Sequence, residues 1–184
     1  MKKSVIKILI SVLIFLVFLS AFFIYLNKIN RAVESNSRLL LLPEKIPLRK
    51  EGEQFYVYIL LNSQVNKIVA VDTKIKFDKD ILEAVDVVSF RLLATYPESA
   101  RVIDNNNGFI YLSAVNYDST KKAFTEPYQN IGLFGRMSFR VKKSLPTKIE
   151  FVYEIQKTNN TNIIEQSGVN IITDQSQLKG SEIN

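Results

Sequence analysis

Between Phe55 and Leu61 the chain alternates strictly, with Phe55, Val57, Ile59 and Leu61 on one side and Tyr56 and Tyr58 on the other. The same period of two recurs at Val71–Phe77, where Val71, Thr73, Ile75 and Phe77 alternate with Asp72, Lys74 and Lys76. It recurs at Phe109–Val115 (Ile110, Leu112, Ala114), at Leu133–Val141 (Leu133, Gly135, Met137, Phe139, Val141 against Arg136, Ser138, Arg140) and at Ile149–Ile155. Alternation of this kind predicts strands with one face buried. Turn signals separate the runs: Glu51-Gly52, Asn105–Gly108, Gly132, Leu145-Pro146 and Ser167-Gly168. Shorter apolar runs at Leu39–Leu42, Ile81–Val88 and Val169–Thr173 predict further strands. About nine strands with no amphipathic helix between them predict an all-β fold, two antiparallel sheets packed face to face as a sandwich.

The N-terminus follows a different pattern. From Ile8 to Leu26 nineteen residues carry no charge, and a helix of that length rises roughly 28 Å, the thickness of a bilayer's hydrocarbon core. No face of the run is polar, which argues against a buried globular helix. Lys2, Lys3 and Lys7 precede it, and Lys28 and Arg31 follow; with the terminal amine this bias predicts N-in, C-out. The run is longer than the apolar core of a cleaved signal peptide and lacks a small-x-small site, so an uncleaved signal anchor is expected. The predicted organisation is therefore a cytoplasmic basic N-terminus (1–7), a single transmembrane helix (8–26), a polar linker (27–37), a β-sandwich (38–174) and a flexible C-terminal tail (175–184). That places the sandwich outside the cytoplasm, tethered to the cell membrane.

The anchor changes how charge is read. The whole chain carries +6, but residues 1–31 hold five basic residues and no acids. The other 153 residues hold nineteen basic and eighteen acidic side chains, a net of +1, so the basicity reports topology and a nucleic-acid partner is not expected. Cysteine and histidine are both absent, which excludes disulfides, thiolate catalysis, Cys/His zinc sites and histidine general acid–base chemistry.

Residues 73–87, "TKIKFDKDILEAVDV", sharpen the fold. The first half alternates, Asp78-Lys79-Asp80 interrupts, and an apolar run from Ile81 resumes. A hairpin, a helix capped by an Asp, or a corner between two sheets fits the pattern. The β-branched Val87-Val88 favours a strand after the interruption. This stretch resembles the strand, Asp-turn, Leu signature of cohesin modules. "LLLLPEKIPLRKEGEQFYVYILLNS" resembles their opening strands, "NNNGFIYLSAVNY" their Asn/Gly turn and middle strand, and "IGLFGRMSFRVKKSLPTKIEF" their late pair of strands. The resemblance covers about residues 38–174 in the right order. It departs at Lys79, where the family usually has Pro, and at Ser89–Asp104, which is longer and more apolar. It implies a nine-stranded, jelly-roll-like sandwich related to certain carbohydrate-binding modules. It also implies a binding role toward a dockerin-like or other envelope protein, or a polysaccharide or other glycan, rather than an enzyme. Contact residues are not carried over.

Candidate sites follow from chemistry. Asp78, Asp80, Glu83 and Asp86 are close enough in sequence to suggest a cation cluster, but an Asp capping its own turn with the others in solvent explains them better. Asp118 and Glu126 flank a loop containing Pro127, with nothing to fix their separation as a catalytic pair. No catalytic, cofactor or metal residue is therefore assigned. Tyr56, Tyr58 and Tyr111 are the expected binding-face aromatics, since outward tyrosines anchor protein partners or stack on sugars; the lack of Trp weakens the sugar reading. A structural part in an envelope, pilus or secretion assembly is the alternative function. The apolar run lacks the Glu and cleavage site of a pilin.

Overall fold

The computed structural model describes residues 16, 17, 19 and 20, 37–154, 157 and 160–184. The chain divides into two compact units, Met1–Ser35 and Asn36–Asn184. In the first, Leu16, Val17, Leu19 and Ser20 are helical, and the Ser20 hydroxyl donates to the Val17 carbonyl at 2.9 Å. The rest of the expected transmembrane segment lies outside the described residues, among which no helix is long and apolar enough to cross a membrane.

Among the described residues the second unit has fourteen strands. They are β1 (Arg38–Leu42), β2 (Lys45–Ile46), β3 (Gln54–Asn62), β4 (Ile68–Phe77), β5 (Leu82–Ser89), β6 (Arg101–Asp104), β7 (Phe109–Val115), β8 (Tyr117–Asp118), β9 (Ala123–Phe124), β10 (Ile131–Val141), β11 (Thr147–Phe151), β12 (Asn162–Glu165), β13 (Leu178–Lys179) and β14 (Ser181–Ile183). One sheet has the order β13-β1-β3-β10-β5; the other runs β2-β14-β11-β4-β7-β6, with β12 continuing beside β4. β8 and β9 form a separate ribbon. Every pairing among the described strands is antiparallel except β1 with β13 and β14 with β2.

The apolar faces of the two sheets meet in a core that includes Val57, Ile59, Leu61, Ile75, Ile110, Leu112, Met137 and Ile149. Phe139 of β10 ties the layers together, stacking on Phe55 at 5.6 Å and meeting Phe77 of β4 edge-on at 5.4 Å. Burying such aromatic and aliphatic groups is the main stabilising term of a domain without disulfides.

The Asp78 stretch is a corner. β4 belongs to one sheet and β5 to the other. Asp78 Oδ1 accepts from the Asp80 amide at 2.9 Å, and the Asp78 carbonyl accepts from the Leu82 amide at 2.8 Å. One tight turn thus redirects the chain, and Leu82 re-enters the core, 1% exposed. Gly108 closes a turn nearby with φ +72°, and its missing side chain leaves room for the Phe77 carbonyl.

Several expectations are corrected. The strands exceed nine because each terminal strand crosses between sheets and is cut in two, at Pro43-Glu44 and at Gly180, and because short ladders appear at β6, β8, β9 and β12. The expected tail 175–184 is part of the fold: Leu178 and Ile183 are buried, and a capping box at Asp174 turns the chain into β13. Ser37 belongs to the sandwich rather than the linker; fully buried, it donates to the Ser63 carbonyl at 2.7 Å. Gly132 lies inside β10 rather than in a turn, and a bulge at Phe134 flips the alternation, so Leu133 points outward and Phe134 is fully buried. β11 stops at Phe151, and of 169–173 only Asn170 makes a bridge, to Ile164.

The chain enters the sandwich at what we call its proximal end. Arg38, Asn62 and Ile131 stand side by side there, and the β3–β4 turn and the β8–β9 ribbon extend beyond them. Residue 184 lies at the distal end, where its amide donates to the Ile46 carbonyl.

Candidate binding face

Because side chains alternate along strands, each sheet also presents an outer face. The two outer faces differ in chemistry.

On the β1-β3-β10-β5 sheet, Tyr56 and Tyr58 share the outer side, as the alternation predicts. Arg136 stands opposite Tyr58 across the β3–β10 ladder and lies over the Tyr56 ring, 4.7 Å from its centre. Its Nε is buried without a hydrogen-bond acceptor, and the guanidinium rests on the aromatic face. Phe90, from the segment after β5, stacks on Tyr58 at 6.3 Å and 15°. The remaining outer residues are mostly aliphatic: Leu40, Leu60 and Leu133 form one row and Leu42 and Val88 extend another. At the far side Arg140 pairs with Glu83 at 3.0 Å. Phe90 and Arg136 thus engage the tyrosines from within the chain, while Tyr56 stays 49% exposed.

On the β11-β4-β7-β6 sheet the ladder aligns Lys74, Tyr111 and Val102 in one row and Lys76, Phe109 and Asp104 in the next. Phe109 and Tyr111 are two residues apart on one strand, their rings 6.3 Å apart and tilted by 41°. The Lys74 amine sits over both, 5.0 Å from Phe109 and 5.8 Å from Tyr111. Charged groups ring this centre: Asp72, Lys76 and Glu150 on neighbouring positions, and a Lys148–Glu182 pair at 3.1 Å. The side-chain amide of Asn107, then its backbone amide, hold the Asp104 carboxyl below the usual range. Glu182, bonded to the Lys148 amine, holds that group above its ordinary value. An aromatic centre inside a polar rim is the anatomy of a protein-binding surface.

The three expected aromatics are therefore split: Tyr56 and Tyr58 lie on one outer face and Tyr111 on the other. Phe109, Lys74, Val102, Phe90 and Arg136 were not singled out in the sequence. The parity of Phe109 with Tyr111 was legible there; the seat of Lys74 between their rings depends on the β4–β7 register, which was not. Tyr96, Tyr117 and Tyr128 serve the scaffold. Tyr96 packs on Phe134 at 5.4 Å and accepts from the Leu92 amide, and burial pushes its phenol up to about 12.

The acidic candidates do not converge. Asp78 is occupied by its turn, Glu83 by Arg140, and Asp118 by the Lys121 amide first and then that of Thr120, which hold its carboxyl below the usual range. No group of three or more possible metal ligands occurs among the described residues.

Residues 47–182 match the model of the cohesin domain family. No curated protein matches the chain by sequence. Among solved structures, the third cohesin of ScaC from Acetivibrio cellulolyticus, in complex with the ScaB dockerin, is similar with TM-score 0.60 and 15% identity over 80% of this chain and 97% of that one. The OlpA cohesin of Clostridium thermocellum, in complex with Doc918, gives 0.57 at 12% identity over 80% and 97%. The solution structure of CaCohA2 from Clostridium acetobutylicum gives 0.58 at 11% over 83% and 93%. At such identities the likeness is one of fold.

Proposed function

Since the chain belongs to the cohesin domain family, we propose that it is a membrane-anchored, extracytoplasmic binding module that holds a protein partner, dockerin-like or another envelope protein, on the outer face of the β11-β4-β7-β6 sheet. The carrying observation is the Phe109–Tyr111 pair with Lys74 over both rings, set within a rim of Asp72, Lys76, Asp104 and Glu150. Such a centre excludes water around a few anchoring side chains while the rim selects the partner by charge. Two observations support a protein over a glycan: the chain has no Trp, and its tyrosines are divided between two faces. The solved cohesins it resembles in fold include several held in complexes with dockerins. Anchoring is supported by the uncharged run Ile8–Leu26 and its basic flank. No catalytic chemistry is assigned to it.

The test uses detergent-solubilised envelope from the source cells, captured with immobilised wild type and with the variants Tyr111→Ala, Lys74→Glu and Tyr56→Ala. A protein retained by wild type and Tyr56→Ala, and weakened roughly 30-fold or more by Tyr111→Ala, supports the assignment; that factor corresponds to about 2 kcal/mol, as expected of an aromatic anchor. Loss with Tyr56→Ala alone moves the site to the other sheet. Retention of nothing by wild type supports the alternative, a structural component of an envelope, pilus or secretion-type assembly.

A further inference from the structure

The two sheets differ in what their strands carry on the outside. The outward positions of β11 and of the second half of β4 are charged: Lys148 and Glu150 on one, Asp72, Lys74 and Lys76 on the other. In the other sheet they are apolar. β1 reads RLLLL and β3 reads QFYVYILLN, so neither Leu39–Leu42 nor Phe55–Leu61 has a charge on either side. Strands with continuous apolar runs are ordinarily covered on both faces. Yet among the described residues the outer face keeps Tyr56 49% exposed, Phe90 41% and Leu133 39%.

The ladder makes these groups one surface. Leu40, Leu60 and Leu133 are neighbours across β1, β3 and β10, and the next row runs Leu42, Tyr58, Arg136 and Val88 as far as β5. With strands about 4.8 Å apart and about 3.4 Å per residue, four strands over the length of β10 from Ile131 to Arg140 present roughly 600 Å². Two such faces brought together bury about 1,200 Å², the lower end of a standard-size interface. An apolar surface of that extent marks an interaction site.

Charge indicates the occupant. Arg136 is the one charge in the two rows, and among the described residues it has no ion-pair partner. Its complement, an aromatic ring, is already part of the same surface. A glycan would need a set of polar groups that the centre lacks, and an acidic protein would find a single cation. We propose that this face pairs with the same face of a second copy of the chain, about a two-fold axis running between β3 and β10. By the register, that axis sets Leu60 against the partner subunit's Leu133 and Leu42 against the partner subunit's Val88. Arg136 is then held between its own Tyr56 and the partner subunit's Tyr58, a cation gripped by two rings. No like charges meet at the centre, and at the rim Arg140 is already paired with Glu83. Sheets packed face to face are rotated by about 30°, so the central rows carry the contact. Such a dimer leaves its two Phe109–Tyr111 faces on opposite outer sides.

The chain has no cysteine, so one introduced thiol reports one position. Full-length Leu133→Cys and Tyr56→Cys are treated, in source-cell membranes and in non-ionic micelles, with a bismaleimide spanning about 10 Å, the separation of sheets packed face to face. Val102→Cys, at a position 42% exposed on the other sheet, is the control. The expected result is a cross-linked dimer for Leu133→Cys and Tyr56→Cys and none for Val102→Cys. In micelles, Leu133→Glu should raise the dissociation constant of the dimer roughly 30-fold or more. Arg136→Glu, which keeps the apolar face and reverses its central charge, should do the same and serves where circular dichroism shows Leu133→Glu misfolded. Dimers trapped equally through Val102→Cys, a dimer indifferent to both Glu variants, or no dimer in either medium overturns the proposal. A Leu133→Cys thiol that escapes cross-linking in membranes but is shielded there from a charged maleimide also overturns it, since a different molecule then covers the face.

Discussion

Asn105 sits in the turn after β6, yet its side chain behaves as a piece of strand for the opposite sheet. Its Oδ1 accepts from the Ala84 amide at 2.8 Å and its Nδ2 donates to the Ala84 carbonyl at 2.9 Å. The edge of β5 is thereby paired across the sandwich, and Asn105→Ala leaves both backbone groups to water or to nothing. A loss of about 1–2 kcal/mol is expected in urea unfolding, and Asn105→Asp, which sets a carboxylate oxygen against the Ala84 carbonyl, should do no better than Asn105→Ala. Tyr96 supplies a pH dependence. Its folded pKa, about 12, exceeds the ordinary value of 10, so its contribution to stability is complete below pH 10 and is lost as pH rises toward 12. Urea midpoints should fall across that window for wild type and fall less for Tyr96→Phe.

Among the elements, the last two strands carry the clearest prediction. β13 completes one sheet and β14 joins β2 to β11 in the other. A chain ending at Asp174 uncovers Leu39, Ile46 and Ile149, and should be recovered unfolded or aggregated, as read by circular dichroism and gel filtration. Gly180 is where the strand changes sheet. A methyl group there would lie 2.5 Å from the Ile149 carbonyl oxygen, so Gly180→Ala should lower the unfolding free energy by about 1–3 kcal/mol. These strands were illegible in the sequence because "QLKGSEI" offers one or two inward residues on each side of a glycine, too few to show a period. Long ladders such as β3, β4 and β7 were legible because each buries one face over seven or more residues. In β10 the sequence alternates through Leu133 with no sign of the bulge, since a single extra residue shows only in pairing with β3. The corner at Asp78 was legible as one of three options, and hydrogen bonding to Asp80 and Leu82 decides among them. For the candidate face, outward parity could be read from sequence, whereas which aromatics share a sheet is a matter of topology.

As a whole molecule, the sandwich closes its own core, and the fragment Glu34–Asn184 should be soluble with a β-rich circular dichroism spectrum; a helical spectrum would refute the fold. Its near-neutral charge and its unlike outer faces suit a module that meets a partner on one side. The charged pairs Lys179–Glu44 and Lys148–Glu182 lie where the terminal strands meet, and at such exposure they guide register more than they stabilise.

The parallel course of the two ends has a mechanical consequence. β1 and β13 run side by side, as do β2 and β14, and the first described residue of the sandwich and the last stand at opposite ends of it. Tension between a tether at one end and a load at the other would act along the strand axes. The few bonds of these two short ladders would then be strained together in shear rather than peeled apart singly. Resistance to pulling is governed by the unfolding rate rather than by equilibrium stability, and this geometry slows that step. A fold wound this way is suited to bearing force.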